Sequence, residues 1–280
     1  MQTKALAGIK SGFAVLWRDT TALVVVFLLA WVIGTLAVVA LNCFTFHFTQ
    51  RLPERWAVTL VWAVAVWPVV DFRVLRHMFQ QQAPDRFSLG DFWRVLPALM
   101  VIACLAAAAT LVIDGAAAGV RGAVLALAVD SAGRADPEIY QAWWFPVLYT
   151  GVSLIADSLQ GFVAVIAFIA TLNLVLYGAL FGGDGWVFLR RNLLILAALA
   201  AVLAIVLNRI DFSYELFLSQ MGVHDLTPWP IVSWRELVLP QALSSAAYFP
   251  TLFVSTVVPI VMYVSLYLAW RGDGHPDEAS

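Results

Sequence analysis

The chain has 280 residues with 16 basic and 18 acidic side chains, a formal charge of −2, and only 12% charged residues against 62% hydrophobic ones. A soluble domain is nearer half apolar with about 25% charged residues, so a soluble fold is excluded, and with no basic tail nucleic acid is not an expected partner. The mean hydropathy of +0.87, with charges gathered in gaps between long uncharged runs, identifies a multi-span membrane chain.

Helices are the only spanning structure these continuous runs allow, because backbone groups in lipid must be satisfied within their own segment. A β-barrel needs alternating segments of about ten residues. In chain order, the first run is uncharged from Asp19 to Arg51 and holds a span at 21–43. Its apolar stretch exceeds the h-region of a signal peptide and no A-x-A-like site follows, so it reads as an uncleaved anchor. The second span, 56–72, has 17 residues, near the lower limit for crossing. Ser88-Leu89-Gly90-Asp91 fits a capping box, and Pro97 suits the first turn of the third span, 97–118. The stretch 139–183 carries only Asp157 and is too long for one span. Pro146, Gly151 and Gly161 allow breaks, so 143–156 is expected on the outer interface and the fourth span at 161–181. The fifth span, 192–208, again has 17 residues, and the sixth, 244–269, carries Pro250 and Pro259. Pro68, Pro250 and Pro259 are expected kinks. Between spans five and six, 209–243 reads as two short helices on the outer leaflet, around a turn at 225–230 and a second capping box at Ser233-Trp234-Arg235-Glu236.

With the N-terminus inside, ten basic residues fall inside (Lys4, Lys10, Arg18, Arg73, Arg76, Arg86, Arg94, Arg190, Arg191, Arg271) and six outside (Arg51, Arg55, Arg121, Arg134, Arg209, Arg235). The positive-inside rule therefore puts both termini in the cytoplasm. Lysine occurs only at Lys4 and Lys10 among the 16 basic residues, a composition that points to a GC-rich bacterial genome and an inner-membrane location. Trp17, Trp56, Trp67, Trp93, Trp143, Trp144, Trp186 and Trp270 lie near span ends, as an interfacial belt does.

Each outward-going span has a similar lead-in of glycine, aromatics and arginine: Gly12-Phe13 with Trp17-Arg18, Gly90 to Arg94, and Gly185-Trp186 with Arg190-Arg191. That pattern describes a short interfacial helix turning up into the membrane. It divides the single membrane domain into three hairpins, 1–72, 73–181 and 182–280, although the belt and positive-inside rules alone also generate it. The stretch from Pro68 to Leu99, with Arg73, Arg76 and Ser88-Leu89-Gly90-Asp91-Phe92, resembles bacterial six-span inner-membrane families of unknown function. It is similar to the membrane domain fused to some glycerophosphodiester phosphodiesterases. The resemblance covers about thirty residues and otherwise only architecture. It implies an inner-membrane domain that is not itself an enzyme, with no catalytic residues to carry over.

The fold expected is all-α, six transmembrane helices with interfacial helices. The candidate polar residues are Asp114, Arg121, Asp157 and Asn173. Converging on one water-filled cavity, they would make a transport site. As local pairs near the interface, or as a helix-to-helix hydrogen bond in the case of Asn173, they would be structural. Two G-x-x-x-G pairs, Gly115–Gly119 and Gly178–Gly182, are candidate helix-packing faces, within one chain or in a homo-oligomer or with a membrane partner. His47, His77, His224 and His275 lack zinc-site spacing, and no nucleophile, P-loop or paired carboxylates appear on one span. The expectation is a non-enzymatic protein without cofactor or metal, a scaffold that binds lipid or a partner. The alternative is a small transporter or permease subunit with its polar site near Asp114 and Asp157. Cys43 and Cys104 are expected at different depths and unbridged.

Overall fold

The computed structural model describes residues 2–79, 87–129, 137–181, 183–222 and 233–272. Gly182, Arg86, Arg134, His224, His275 and the turn at 225–230 lie outside the described residues. The described residues are all-helical, in eight helices: α1 (Gln2–Arg18), α2 (Thr20–Thr49), α3 (Arg55–Phe79), α4 (Leu89–Leu127), α5 (Pro137–Gln141), α6 (Trp144–Tyr177), α7 (Asp184–Gln220) and α8 (Arg235–Arg271). Six of them, α2, α3, α4, α6, α7 and α8, are long and apolar enough to cross a membrane. Large apolar side chains stand exposed along them, including Leu36, Val112 and Leu194, which a lipid-facing surface explains.

Neighbours in sequence are neighbours in space, and α8 closes the bundle by contacting α2, α3 and α7. The core runs between α3, α6, α7 and α8, around Phe79, Leu172, Phe188, Val264 and Tyr267. α1 docks along α8. A Cβ on Gly8 would stand 2.9 Å from Leu266, and one on Gly12 would stand 2.6 Å from the Met262 sulfur. At Gly34 the approach of α2 to Trp62 and Val66 of α3 is closer still, and at Gly161 a Cβ would stand 2.5 Å from the Ala200 carbonyl of α7.

The helices outrun the expected spans. α3 continues to Phe79 and α7 covers 37 residues, so neither is short. α6 is unbroken over 34 residues, about 51 Å at 1.5 Å per residue, which corrects the reading of 143–156 as a separate interfacial segment. Pro146 sits in the first turn, where its missing N–H costs nothing, and Gly161 serves contact with α7 rather than a break. The segment 209–243 does not hold two free surface helices either: Phe212, Leu216 and Phe217 belong to the end of α7, and Arg235 begins α8. The expected capping box at 233–236 does not form. The N-cap is Trp234 rather than Ser233, without a side-chain bond, and Ser233 Oγ accepts from the Arg235 N–H at 3.4 Å.

The box at Ser88 is complete. Ser88 Oγ accepts from the Asp91 N–H at 3.1 Å, and Asp91 accepts from the Ser88 N–H at 3.0 Å. The three lead-ins differ from one another. Asp19 breaks α1 from α2, Asn192 kinks α7 with φ −117° and ψ 18°, and α4 runs unbroken through Pro97.

Candidate functional site

Asp114, Arg121, Asp157 and Asn173 do not converge. Near the far ends of the spans, the Gln160 amide of α6 donates to Asp114 of α4 at 2.5 Å. One turn away, Asp157 of α6 accepts from the Asn208 amide of α7 at 2.8 Å. Arg121 donates to the Ser153 hydroxyl at 3.4 Å. These are three ties from α6 to its two neighbours, and Asp114 is paired with an amide rather than with Arg121. A carboxylate at an interface gains from such a bond and costs little there.

Asn173 lies sixteen residues further along α6, about 24 Å away by helical rise. It sits in the last turn of α6, not mid-span, because the helix ends at Tyr177. Its side chain is fully buried. Asn173 Oδ1 accepts the Gly185 N–H at 3.1 Å, while Nδ2 has no partner among the described residues. Gly183 and Gly185 leave the space it fills: a Cβ on Gly185 would lie 2.7 Å from Oδ1, and one on Gly183 closer. The Tyr177 hydroxyl donates to Asp184 and meets the Tyr267 hydroxyl, both at 2.9 Å. The Trp186 indole donates to the Leu180 carbonyl at 2.6 Å. The α6–α7 turn is thus clamped to itself and to α8.

Of the glycine pairs, Gly115 and Gly119 face open space. Gly178 is the left-handed C-cap of α6, φ 71°, with its N–H on the Leu174 carbonyl at 3.0 Å. Gly178 therefore ends α6 rather than standing on a face along it, and Gly182 lies outside the described residues. The pair that does pack is Gly8–Gly12 of α1, whose four-residue spacing was visible in the sequence.

At the α1–α2 corner, Arg18 grips Asp19 with both nitrogens, at 2.9 and 3.0 Å, and His77 Nε2 lies 3.2 Å from the same carboxylate. The Arg18 bonds hold the Asp19 carboxyl down at about 2; desolvation opposes this and His77 adds to the downward pull. On the opposite side, α2 is tied to α8 by Thr35 with Ser245 at 2.7 Å and by Asn42 to Gln241 at 2.9 Å. Cys43 and Cys104 are both free.

Sequence reasoning passed over Asp71, counting it as the end of a span. In the structure it is half-buried, two turns before the end of α3, and has no hydrogen bond or ion pair to a described residue. Apolar residues continuing through Phe72, Val74, Leu75 and Phe79 were the signal that the helix runs on. Beyond it, Arg73 and Arg76 close one end of a slot of about 330 Å³ between α2, α3 and α4.

Compared with known proteins, the chain matches no family model, no curated protein and no solved structure. The class defined by the fold is a multi-pass integral membrane protein. Asp114, Asp157 and Arg121 tie its neighbouring helices together.

Proposed function

We propose that this protein is a non-enzymatic scaffold of a bacterial inner membrane, with both termini cytoplasmic, that works by binding lipid or a membrane partner. The observation that carries this reading is the dispersal of the polar residues. Asp114, Asp157 and Arg121 are each held by a neighbouring helix, and Asn173 is sealed at the other end of α6. A carrier site needs such groups at one depth around one cavity. The ten-to-six division of basic residues supports the orientation, and the likeness of 68–99 to six-span inner-membrane families points the same way.

Substituted-cysteine labelling tests this reading after Cys43→Ser and Cys104→Ser. A membrane-impermeant maleimide is expected to reach Gln141→Cys from the outside only, and to leave Asn173→Cys unlabelled from either side. Labelling of Asp114→Cys, Asp157→Cys and Asn173→Cys along one continuous path would replace the scaffold with a carrier.

Asp71 favours a second reading. An ionisable side chain inside a span, with no partner among the described residues, marks a proton or cation pathway by default. Proteoliposomes loaded with a pH-sensitive dye decide it: a proton leak that Asp71→Asn abolishes establishes the pathway, and equal dye traces for the two proteins dismiss it.

A further inference from the structure

The slot between α2, α3 and α4 has the polarity of a phospholipid. Its walls are apolar: Leu29 and Ile33 from α2, Val69 from α3, and Leu96 and Met100 from α4. At one end stand Arg73 and Arg76, both half-buried, with Trp93 beside them. The two arginines are three residues apart and so share one face of α3. From Arg76 to Val64, the deepest lining residue of α3, is twelve residues, about 18 Å along the axis. The gradient therefore runs from cationic to apolar down the membrane normal, starting one turn from the helix end. The volume lies within the range of about 300–1,000 Å³ typical of small-molecule sites.

Among the described residues no acidic side chain lines the slot, and neither arginine has an ion pair or hydrogen bond to a described residue. The described acids near this end are engaged or averted. Asp19 is held by Arg18 and His77, and Asp91 by Ser88. Asp71 lies about 200° round the helix from Arg73, on the far face. Two half-buried guanidinium groups aimed at headgroup depth call for an anion, and the planar guanidinium matches phosphate oxygens in a two-pronged contact.

We propose that this slot binds an anionic glycerophospholipid, its phosphodiester on Arg73 and Arg76 and one acyl chain between α2, α3 and α4. Burial of the chain stabilises the complex through apolar area, and the arginines select the headgroup charge. The site goes beyond the scaffold reading. Detection of solute flux would overturn that reading and leave the site untouched.

The test uses the full chain in neutral detergent, titrated separately with dioleoyl phosphatidylglycerol, dioleoyl phosphatidylcholine and inorganic phosphate, while the thermal midpoint is followed. Phosphatidylglycerol is expected to raise the midpoint well above the effect of phosphatidylcholine, and inorganic phosphate to leave it unmoved. Arg73→Gln/Arg76→Gln should weaken the apparent phosphatidylglycerol affinity at least tenfold. Val69→Trp, which fills the slot and keeps both charges, should do the same, and Arg190→Gln should change nothing. Should the double variant fail to fold, Val69→Trp and native mass spectrometry of the wild type, with one phosphatidylglycerol retained per chain, decide alone. An undiminished response in Val69→Trp, or inorganic phosphate matching the lipid, overturns the proposal.

Discussion

Asn173 shows how much one buried polar side chain determines. It is fully buried, and its Oδ1 satisfies a backbone N–H in the first turn of α7, a group that has no intrahelical partner. Only glycine fits at residue 185, because a Cβ there would press on the amide at 2.7 Å. Gly185→Ala should therefore cost about 1–3 kcal/mol, the usual range for overpacking. Asn173→Ala should cost a similar ~1–3 kcal/mol, because the Gly185 N–H is left buried without an acceptor. The double variant removes the clash together with its cause, and its cost should not exceed that of Asn173→Ala alone. Unfolding midpoints of the four proteins form the cycle, and strictly additive losses would show that the two residues do not act as a unit. Of the two uses the sequence left open for Asn173, the bond to Gly185 matches the helix-to-helix one, near the end of α6 rather than in the middle of the span expected at 161–181. Nothing in an uncharged run reveals where a helix stops except the residue that stops it, here Gly178, which the G-x-x-x-G pattern assigned to a different task.

At the scale of elements, spacing proved less informative than surroundings. Gly115–Gly119 and Gly8–Gly12 have the same four-residue period, yet only the second meets another helix. The sequence does not say which face of a helix has a neighbour. Strong local signals translated directly: the Ser88–Asp91 capping box forms with both of its bonds. Weak ones did not, since a Ser and a Glu three residues apart at 233–236 lose to the chain direction set by Trp234. The six runs marked the six spanning helices because hydrocarbon excludes charge. Helix ends were misplaced wherever a charged residue continues a helix past the apolar run, as Arg73 and Arg76 do in α3. The contrast between the glycine pairs is open to measurement. Gly12→Leu must displace Met262 and Ser265 and should cost at least the ~1–3 kcal/mol of overpacking, freeing α1 from α8. A Cβ at Gly119 meets nothing within 4 Å, so Gly119→Leu should stay within about 0.5 kcal/mol. Limited proteolysis after α1 reads the first effect, and equal protease sensitivity of the two variants would contradict the docking of α1.

For the whole molecule, the decisive quantity is helix length against bilayer thickness. About 20 residues cross the hydrocarbon, and α4, α6, α7 and α8 have 39, 34, 37 and 37. Measured from Tyr177, Asp157 lies 20 residues up α6, about 30 Å, so the Asp157–Asn208 and Asp114–Gln160 ties sit where hydrocarbon should end. Beyond them α4 and α6 continue side by side, joined by Val124, Ala128 and Phe145, while α7 continues with Arg209, Asp211 and Glu215. With the hydrocarbon set by that length, the ties form a collar at one edge of it, and the proposed orientation makes this the outer edge, with the helical extension beyond it outside the membrane. Lysine substitution at two exposed sites locates that boundary. Val202 of α7 and Val147 of α6 are 58% and 61% exposed, so neither change disturbs a core. Val202 lies six residues inside Asn208, in the hydrocarbon, where lysine costs about 2.5–3.5 kcal/mol. Val147 lies ten residues outside Asp157, about 15 Å beyond the collar, where lysine should cost less than about 0.5 kcal/mol. Unfolding in lipid bicelles measures both. A large penalty at Val147 would move the membrane boundary outward past the collar, place Asp114 and Asp157 inside the hydrocarbon, and turn their hydrogen bonds from interfacial ties into buried polar contacts of the kind a carrier requires.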